Sequence, residues 1–151
     1  MPYAVGADAI AAWQEYAAAL REALARDDRD QALELFMRLA GTPPEVLEQV
    51  KGSAYWPGMR ELAPSLAYDA ACLGDGPPPA DRLGGIGQPA LVMTGPGADA
   101  AMQELAGDFI GSSADAIAAA MPAAERHRLA AGGHMVDPAI LGPVLTDWFS
   151  A

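Results

Sequence analysis

The sequence predicts an α/β fold in which four helices precede a two-strand parallel β-α-β-α unit. Apolar residues recur every three or four positions through residues 8–73, which indicates amphipathic helices. A proline- and glycine-rich stretch at residues 74–88 ends this pattern. The continuous apolar run of residues 89–93 that follows is typical of a strand buried on both faces of a parallel sheet.

Length and composition limit the fold further. The chain has 151 residues, of which 52% are hydrophobic, so it can bury one core and is too short for two ordinary domains. Nine basic residues stand against 20 acidic ones, and the net charge of −11 disfavours nucleic acid and anionic membranes as partners. No apolar run approaches the ~20 residues of a membrane span, and a signal-peptide pattern is absent, so we expect a cytoplasmic location.

The four predicted helices follow from periodicity and end signals. The second helix ends at Gly41, Thr42 has the capping-box spacing for the third, and Pro64 should kink the fourth. The predicted ranges are Asp8–Asp27, Asp30–Ala40, a short helix from Thr42 through Val50, and Trp56–Leu73.

The part after the connector alternates strands and helices. Gly111 should break or kink the helical stretch, and Asp137 should cap the last helix with Pro138 at its first position. The predicted ranges are a strand at 89–93, helices at 100–109 and 112–121, a strand at 125–130 and a helix from Asp137.

Two familiar site patterns are disfavoured. Gly95, Gly97 and Ala100 fit the dinucleotide-binding fingerprint superficially, but Pro96 removes an amide and Asp99 adds a negative charge where phosphate would bind. Cys72 is the single cysteine, so no intramolecular disulfide can form, and no Cys or His cluster has zinc spacing. We expect no metal and no cofactor, and Cys72 is interpreted as a core residue.

The chain contains no Gly-x-Ser-x-Gly elbow, so no nucleophile is predicted. Ser112 is interpreted as a helix N-cap that forms an S-x-x-D pattern with Asp115. His134 follows two glycines between the second strand and the last helix, where an imidazole could act as a general base. The alternative is a structural or exposed turn histidine. His127, beside Arg126 on the strand, is interpreted as a solvated residue.

The segment Arg126–His134, followed by the helix from Pro138, resembles the end of an α/β-hydrolase. Gln88–Gly95 resembles the preceding strand of that family, with the pattern P-x-L-V-x-x-G, and Met1-Pro2-Tyr3 resembles the exit into its cap. The helices of residues 8–73 then resemble a helical cap. The resemblance implies a cap-like segment at 1–73, a connector at 74–88 and a β-α-β-α unit at 89–151.

The resemblance covers only the C-terminal half of the hydrolase fold. The nucleophile and the oxyanion-hole amides of the family belong to the N-terminal half, which these residues do not resemble. The resemblance implies that His134 is the general base and that Asp99 is the acid that orients it. Asp99 lies one residue beyond the usual G-x-x-D spacing, and its alternative role is the N-cap of the next helix. We therefore expect a truncated hydrolase-like protein, of bacterial type, that is inactive alone. A small apolar ligand could still bind to the apolar residues that would once have lined the acyl pocket, which are Trp13, Trp56, Met59 and Tyr68. The alternative role for each aromatic residue is core packing.

Other interpretations stay open. The chain could hydrolyse esters or related bonds when an N-terminal hydrolase half complements it, or when a dimer builds a site around His134. Alternatively, it could be an acidic helical module that binds a basic protein. Two parallel strands leave both sheet edges unpaired, so we expect a homodimer or a complementing chain to complete the partial fold.

Overall fold

A computed structural model of the protein describes residues 3–95, 109–130 and 136–150. The chain divides into two compact units, Tyr3–Pro77 and Pro78–Ala151. The expectation of one core is only partly met, because the large buried cluster lies wholly within the first unit. In the described part of the second unit, the buried hydrophobic residues are Ala114 and Leu129.

The first unit is helical. Its elements are α1 (Ala7–Ala25), α2 (Arg29–Leu39), α3 (Pro44–Lys51), α4 (Trp56–Leu62), a 3-10 turn (Ala63–Ser65) and α5 (Leu66–Leu73). The 3-10 turn contains Pro64 and separates α4 from α5, which confirms the predicted kink. The predicted capping box is wrong, because α3 begins after Pro43 and no side chain caps it. Pro44 at the first helical position already has a helical φ and needs no donor there.

The core of the first unit forms where α1 packs on α2. Trp13, Tyr16 and Leu20 are buried along one side of α1, and α2 buries Ala32 and Leu33. Spacings of three and four place the α1 residues on one helical face, as the periodicity predicted. The buried cluster also includes Ala4, Ala23, Leu47, Trp56, Ala63 and Leu66.

A short segment after α5 closes the unit against α1. Trp13 Nε1 donates to the Gly74 carbonyl oxygen at 2.9 Å, and Ala4 N donates to the Gly76 carbonyl oxygen at 2.8 Å. Gly74 has φ +54° and Gly76 has φ +110°, conformations that side chains rarely adopt. The region interpreted as a connector therefore packs in the first unit, and it also contributes a short helix to the second, α6 (Ala80–Gly84).

The interpretation of Cys72 as a core residue is wrong, because its side chain is exposed. The side of α5 that faces the core carries Leu66, which is buried, and Ala70 and Leu73, which are half-buried. Cys72 follows Ala70 by two positions, about 200° around the helix at 3.6 residues per turn. The apolar run of α5 from which Cys72 was predicted to be buried thus also includes residues on the outer face of this helix.

The second unit contains the predicted parallel sheet. Its elements after α6 are β1 (Ala90–Thr94), α7 (Phe109–Ala120), β2 (Ala124–Arg128) and α8 (Pro138–Ser150). The strands pair in parallel from Ala90 opposite Ala124 to Thr94 opposite Arg128. Asp137 Oδ1 accepts from Ala139 N at 2.8 Å, which confirms the cap of α8. The α/β fold with a two-strand parallel sheet is therefore confirmed.

The sequence predicted a break of α7 at Gly111 as one alternative and an N-cap at Ser112, and both are wrong. The helix continues through Gly111, which is buried one turn before buried Ala114, so the glycine lies on the packed face and does not break the helix. Because α7 already begins at Phe109, Ser112 lies inside it and is not an N-cap. Strand β1 is also less buried than predicted, since all five of its residues are half-buried.

Ser113 gives a direct test of packing around α7. Its side chain is 2% exposed, and its Oγ has no hydrogen-bond partner among the described residues. A buried hydroxyl without a partner opposes folding, so we expect Ser113→Ala to raise the free energy of unfolding by about 1 kcal/mol. Urea denaturation followed by circular dichroism measures this change. Ser112→Ala is the matched control at an exposed position of α7, and an equal gain in both variants would contradict the explanation.

Candidate active site

The carboxyl ends of β1 and β2 lie side by side. Because the strands are parallel, both end at the same edge of the sheet, and Leu129 N donates to the Thr94 carbonyl oxygen at 2.8 Å just beyond the last pair. This is the edge at which open α/β sheets place their ligand sites. The predicted site residues Asp99 and His134 come after these two strand ends in sequence, and both lie outside the described residues.

Arg126 is the best connected described residue near this edge. Its Nε pairs with Asp115 Oδ1 at 2.7 Å, and its Nη2 donates to Thr94 Oγ1 at 2.8 Å. Its Nη1 donates to the carbonyl oxygens of His127 at 2.7 Å and Val92 at 3.3 Å. The guanidinium thus joins both strands to α7, and its side chain is only 18% exposed.

The same carboxylate binds a second arginine. Arg128 Nη2 lies 2.8 Å from Asp115 Oδ2, so one acid contacts two cations. The hydrogen bond from Arg126, followed by the charges of both arginines, holds the pKa of Asp115 below its usual value. The cluster of Asp115, Arg126, Arg128 and Thr94 joins α7 to both strands of the sheet. The hydroxyl at this position, Thr94 Oγ1, accepts a hydrogen bond from the Arg126 guanidinium.

The sequence patterns do not predict this cluster of Asp115, Arg126 and Arg128. They predict a helix-cap role for Asp115 and a solvated position for His127, whereas Asp115 pairs with both arginines and His127 is half-buried. One signal was present: Arg126 and Arg128 are two positions apart on a strand, so their side chains point to the same face. An acid on the crossover helix that covers this face is the expected partner.

The residues predicted to line an apolar pocket are not gathered into one. Trp13 and Trp56 are 5% and 7% exposed in the core of the first unit, whereas Tyr68 is 76% exposed. Trp56 Nε1 donates to Asp30 Oδ1 at 2.7 Å, which fixes the ring against α2. Met59 is half-buried against the same core. The two tryptophans therefore have the core-packing role that was the alternative.

A different cleft opens between α1 and α5 of the first unit. It has a volume of about 440 Å³, within the range of small-molecule sites. Most of its lining is alanine and leucine: Ala17, Leu20, Leu24, Ala67, Ala70 and Ala71, with Arg21, Gly74 and Asp75 completing it. Elsewhere on α1, burial and then the Asp69 carboxylate raise the pKa of Tyr16 to about 12.

Neither a metal centre nor a membrane span is found in the described residues. No three His, Cys, Asp or Glu side chains of this part come close enough to hold a metal ion. No helix in the same part is long and apolar enough to cross a bilayer.

No family model matches the sequence, and no curated protein does. The crystal structure of an alpha/beta hydrolase from Sphaerobacter thermophilus is similar, with a TM-score of 0.65 and 32% sequence identity. The match covers 98% of this chain and 55% of that chain. The chain is a relative of the α/β-hydrolases. The resemblance seen in the sequence is thus confirmed.

The relationship covers only part of the hydrolase fold. The chain spans about half the length of the solved hydrolase, 55%, and its described residues form a two-strand sheet. A partial α/β-hydrolase fold explains why β1 has no described neighbour on its second side. It also explains why none of the residues of α8 is fully buried, although this helix carries a stripe of leucine, valine and tryptophan.

Proposed function

We propose that these 151 residues supply the helical cap and the general-base end of an α/β-hydrolase site and do not hydrolyse esters by themselves. The observation that carries the proposal is the asymmetry of the match, 98% of this chain against 55% of the hydrolase. In this proposal His134 is the general base and Asp99 is the acid that orients it. The nucleophile comes from outside the 151 residues.

The chemistry supports inactivity of the isolated chain. A general base accelerates acyl transfer only when a nucleophile lies within hydrogen-bond reach and amides stabilise the oxyanion. The 151 residues contain no Gly-x-Ser-x-Gly segment. Ser113, the buried hydroxyl of the second unit, lies inside α7 and is 2% exposed, so a substrate carbonyl does not reach it. The 151 residues therefore offer His134 no nucleophile of the elbow type.

The test is turnover of p-nitrophenyl acetate and butyrate by the purified chain. We expect wild type and His134→Ala to share one background rate, because a base without a nucleophile contributes nothing. His127→Gln is the matched control, since His127 is the other histidine of the chain. Turnover that is lost in His134→Ala and kept in His127→Gln would contradict the proposal and favour a site built by the chain itself.

A second candidate function is hydrolysis after complementation. It is favoured by the same match, because the unmatched part of the solved hydrolase is the natural place for the missing nucleophile. Co-expression of this chain with that part of the Sphaerobacter enzyme tests it. Ester turnover that requires both chains and is abolished by His134→Ala would support complementation, and the absence of turnover would count against it.

A further inference from the structure

Thr94, the last residue of β1, is bound to the neighbouring chain segment through both of its oxygens. Its carbonyl oxygen accepts from Leu129 N at 2.8 Å, directly after β2. Its Oγ1 accepts from Arg126 Nη2, also at 2.8 Å. The first bond continues the ladder of the sheet, and the second is a side-chain bond that the ladder does not require. The end of β1 is therefore held against β2 twice.

The guanidinium of Arg126 is held in one orientation. Val92 lies opposite Arg126, and Thr94 lies two positions further along β1, so all three side chains are on the same face of the sheet. Besides Thr94, the nitrogens of Arg126 contact Asp115 Oδ1 and the carbonyl oxygens of Val92 and His127. A planar fork that is bound on every nitrogen cannot turn without losing bonds, and the side chain is only 18% exposed.

The segments that start at these strand ends carry the proposed acid and base. Asp99 follows Thr94 by five positions, and His134 follows Arg128 by six. A chain reaches at most about 3.3–3.6 Å per residue from its anchor, so the separation of the two strand ends limits where the acid and the base can meet. Their hydrogen bond forms only at a donor–acceptor distance of about 2.7–3.2 Å. A small displacement of one strand end against the other is therefore enough to break it.

We propose that Arg126 is a positioning residue for the acid–base pair, because it fixes the end of β1 against β2 so that Asp99 can orient His134. The role of the guanidinium is geometric, since its described contacts are to the two strands and to α7. It acts on the reaction only through the strand ends. This inference rests on the proposed function, from which it takes the roles of Asp99 and His134.

NMR titration of the His134 imidazole in the purified chain tests this role, and His127→Gln assigns the signal, since the sequence holds two histidines. A hydrogen-bonded carboxylate favours the protonated imidazole. Asp99→Asn should therefore lower the pKa of His134, so that the imidazole binds its proton at least about tenfold more weakly. This variant sets the scale for the others.

Arg126→Lys is the decisive variant. Lysine keeps the positive charge but lacks the planar fork, so it cannot bind the same groups at once. We expect a loss of proton affinity at His134 close to that of Asp99→Asn. An effect of charge alone would leave the affinity unchanged, because the charge is kept. Thr94→Val removes the hydroxyl acceptor with little change in shape and should act in the same direction, which keeps the test valid if Arg126→Lys does not fold.

Ala118→Gly is the control for a general loosening of the second unit. It weakens α7 and removes none of the side-chain contacts of Arg126, so the proton affinity of His134 should stay at the wild-type value. If Asp99→Asn has no effect, the acid–base pair of the proposed function is wrong, and the inference falls with it. If Asp99→Asn acts and folded Arg126→Lys or Thr94→Val does not, or if Ala118→Gly acts equally, only the positioning role is overturned.

Discussion

Gly76→Ala is expected to destabilise the first unit by roughly 2–5 kcal/mol, since it combines overpacking with a strained backbone. A Cβ at this position would lie 2.6 Å from Trp13 Cδ1 and 3.2 Å from Trp13 Cγ. The indole cannot move aside easily, because it is 5% exposed and its Nε1 donates to the Gly74 carbonyl oxygen. Gly76 also has φ +110°, which alanine adopts only at a cost.

Urea denaturation followed by tryptophan fluorescence measures this loss, because Trp13 and Trp56 both lie in the core of the first unit. Gly58→Ala is the matched control. An added Cβ at Gly58 meets nothing within 4 Å, and the residue lies inside α4, where alanine favours the helix. We expect Gly58→Ala to leave the midpoint unchanged or to raise it slightly. A normal midpoint for Gly76→Ala would show that the segment after α5 is not held against α1.

The contact between Gly76 and Trp13 shows where sequence reasoning stops. Periodicity predicted α1 and α2, and the proline at position 64 predicted the kink, because each depends on neighbours within a few residues. The segment 74–76 has the composition of a connector, and its glycines indicate only that the backbone is free to turn. That Gly74 in this segment meets a tryptophan 61 residues earlier depends on how α5 returns to α1, which local patterns do not encode.

In the second unit, too, local features were predictable from the sequence and long-range contacts were not. Two short strands and the capped helix after Asp137 were predictable, because strand composition and cap spacing are local signals. The choice of Asp115 as the acid that pairs with Arg126 was not, since it depends on the register of β2 against β1 and on the rotation of α7. The proposed roles of His134 and Asp99 came from resemblance to a family, and both residues lie outside the described part of the chain.

Arg126→Met is expected to have the largest effect in the second unit. Its guanidinium donates to the Val92 and His127 carbonyl oxygens and to Thr94 Oγ1, and the side chain is 18% exposed. Each such bond contributes about 0.5–1.5 kcal/mol, so the loss should be roughly 2–3 kcal/mol. Urea denaturation followed by circular dichroism measures it. Arg128→Met, at a side chain that is 56% exposed, is the matched control and should cost much less.

The dependence on pH separates the ion pair from the other bonds of Arg126. The pKa of Asp115 is lowered in the folded chain, so its contribution to stability is present above the ordinary aspartate pKa and is lost as pH falls through the lowered value. The difference in unfolding free energy between wild type and Arg126→Met should therefore narrow in acid. It should not vanish, because the bonds to Val92, His127 and Thr94 do not need the carboxylate.

Equal losses for Arg126→Met and Arg128→Met at neutral pH would contradict the central role of Arg126. They would show that the shared contact with Asp115, and not the link between the strands, stabilises this unit.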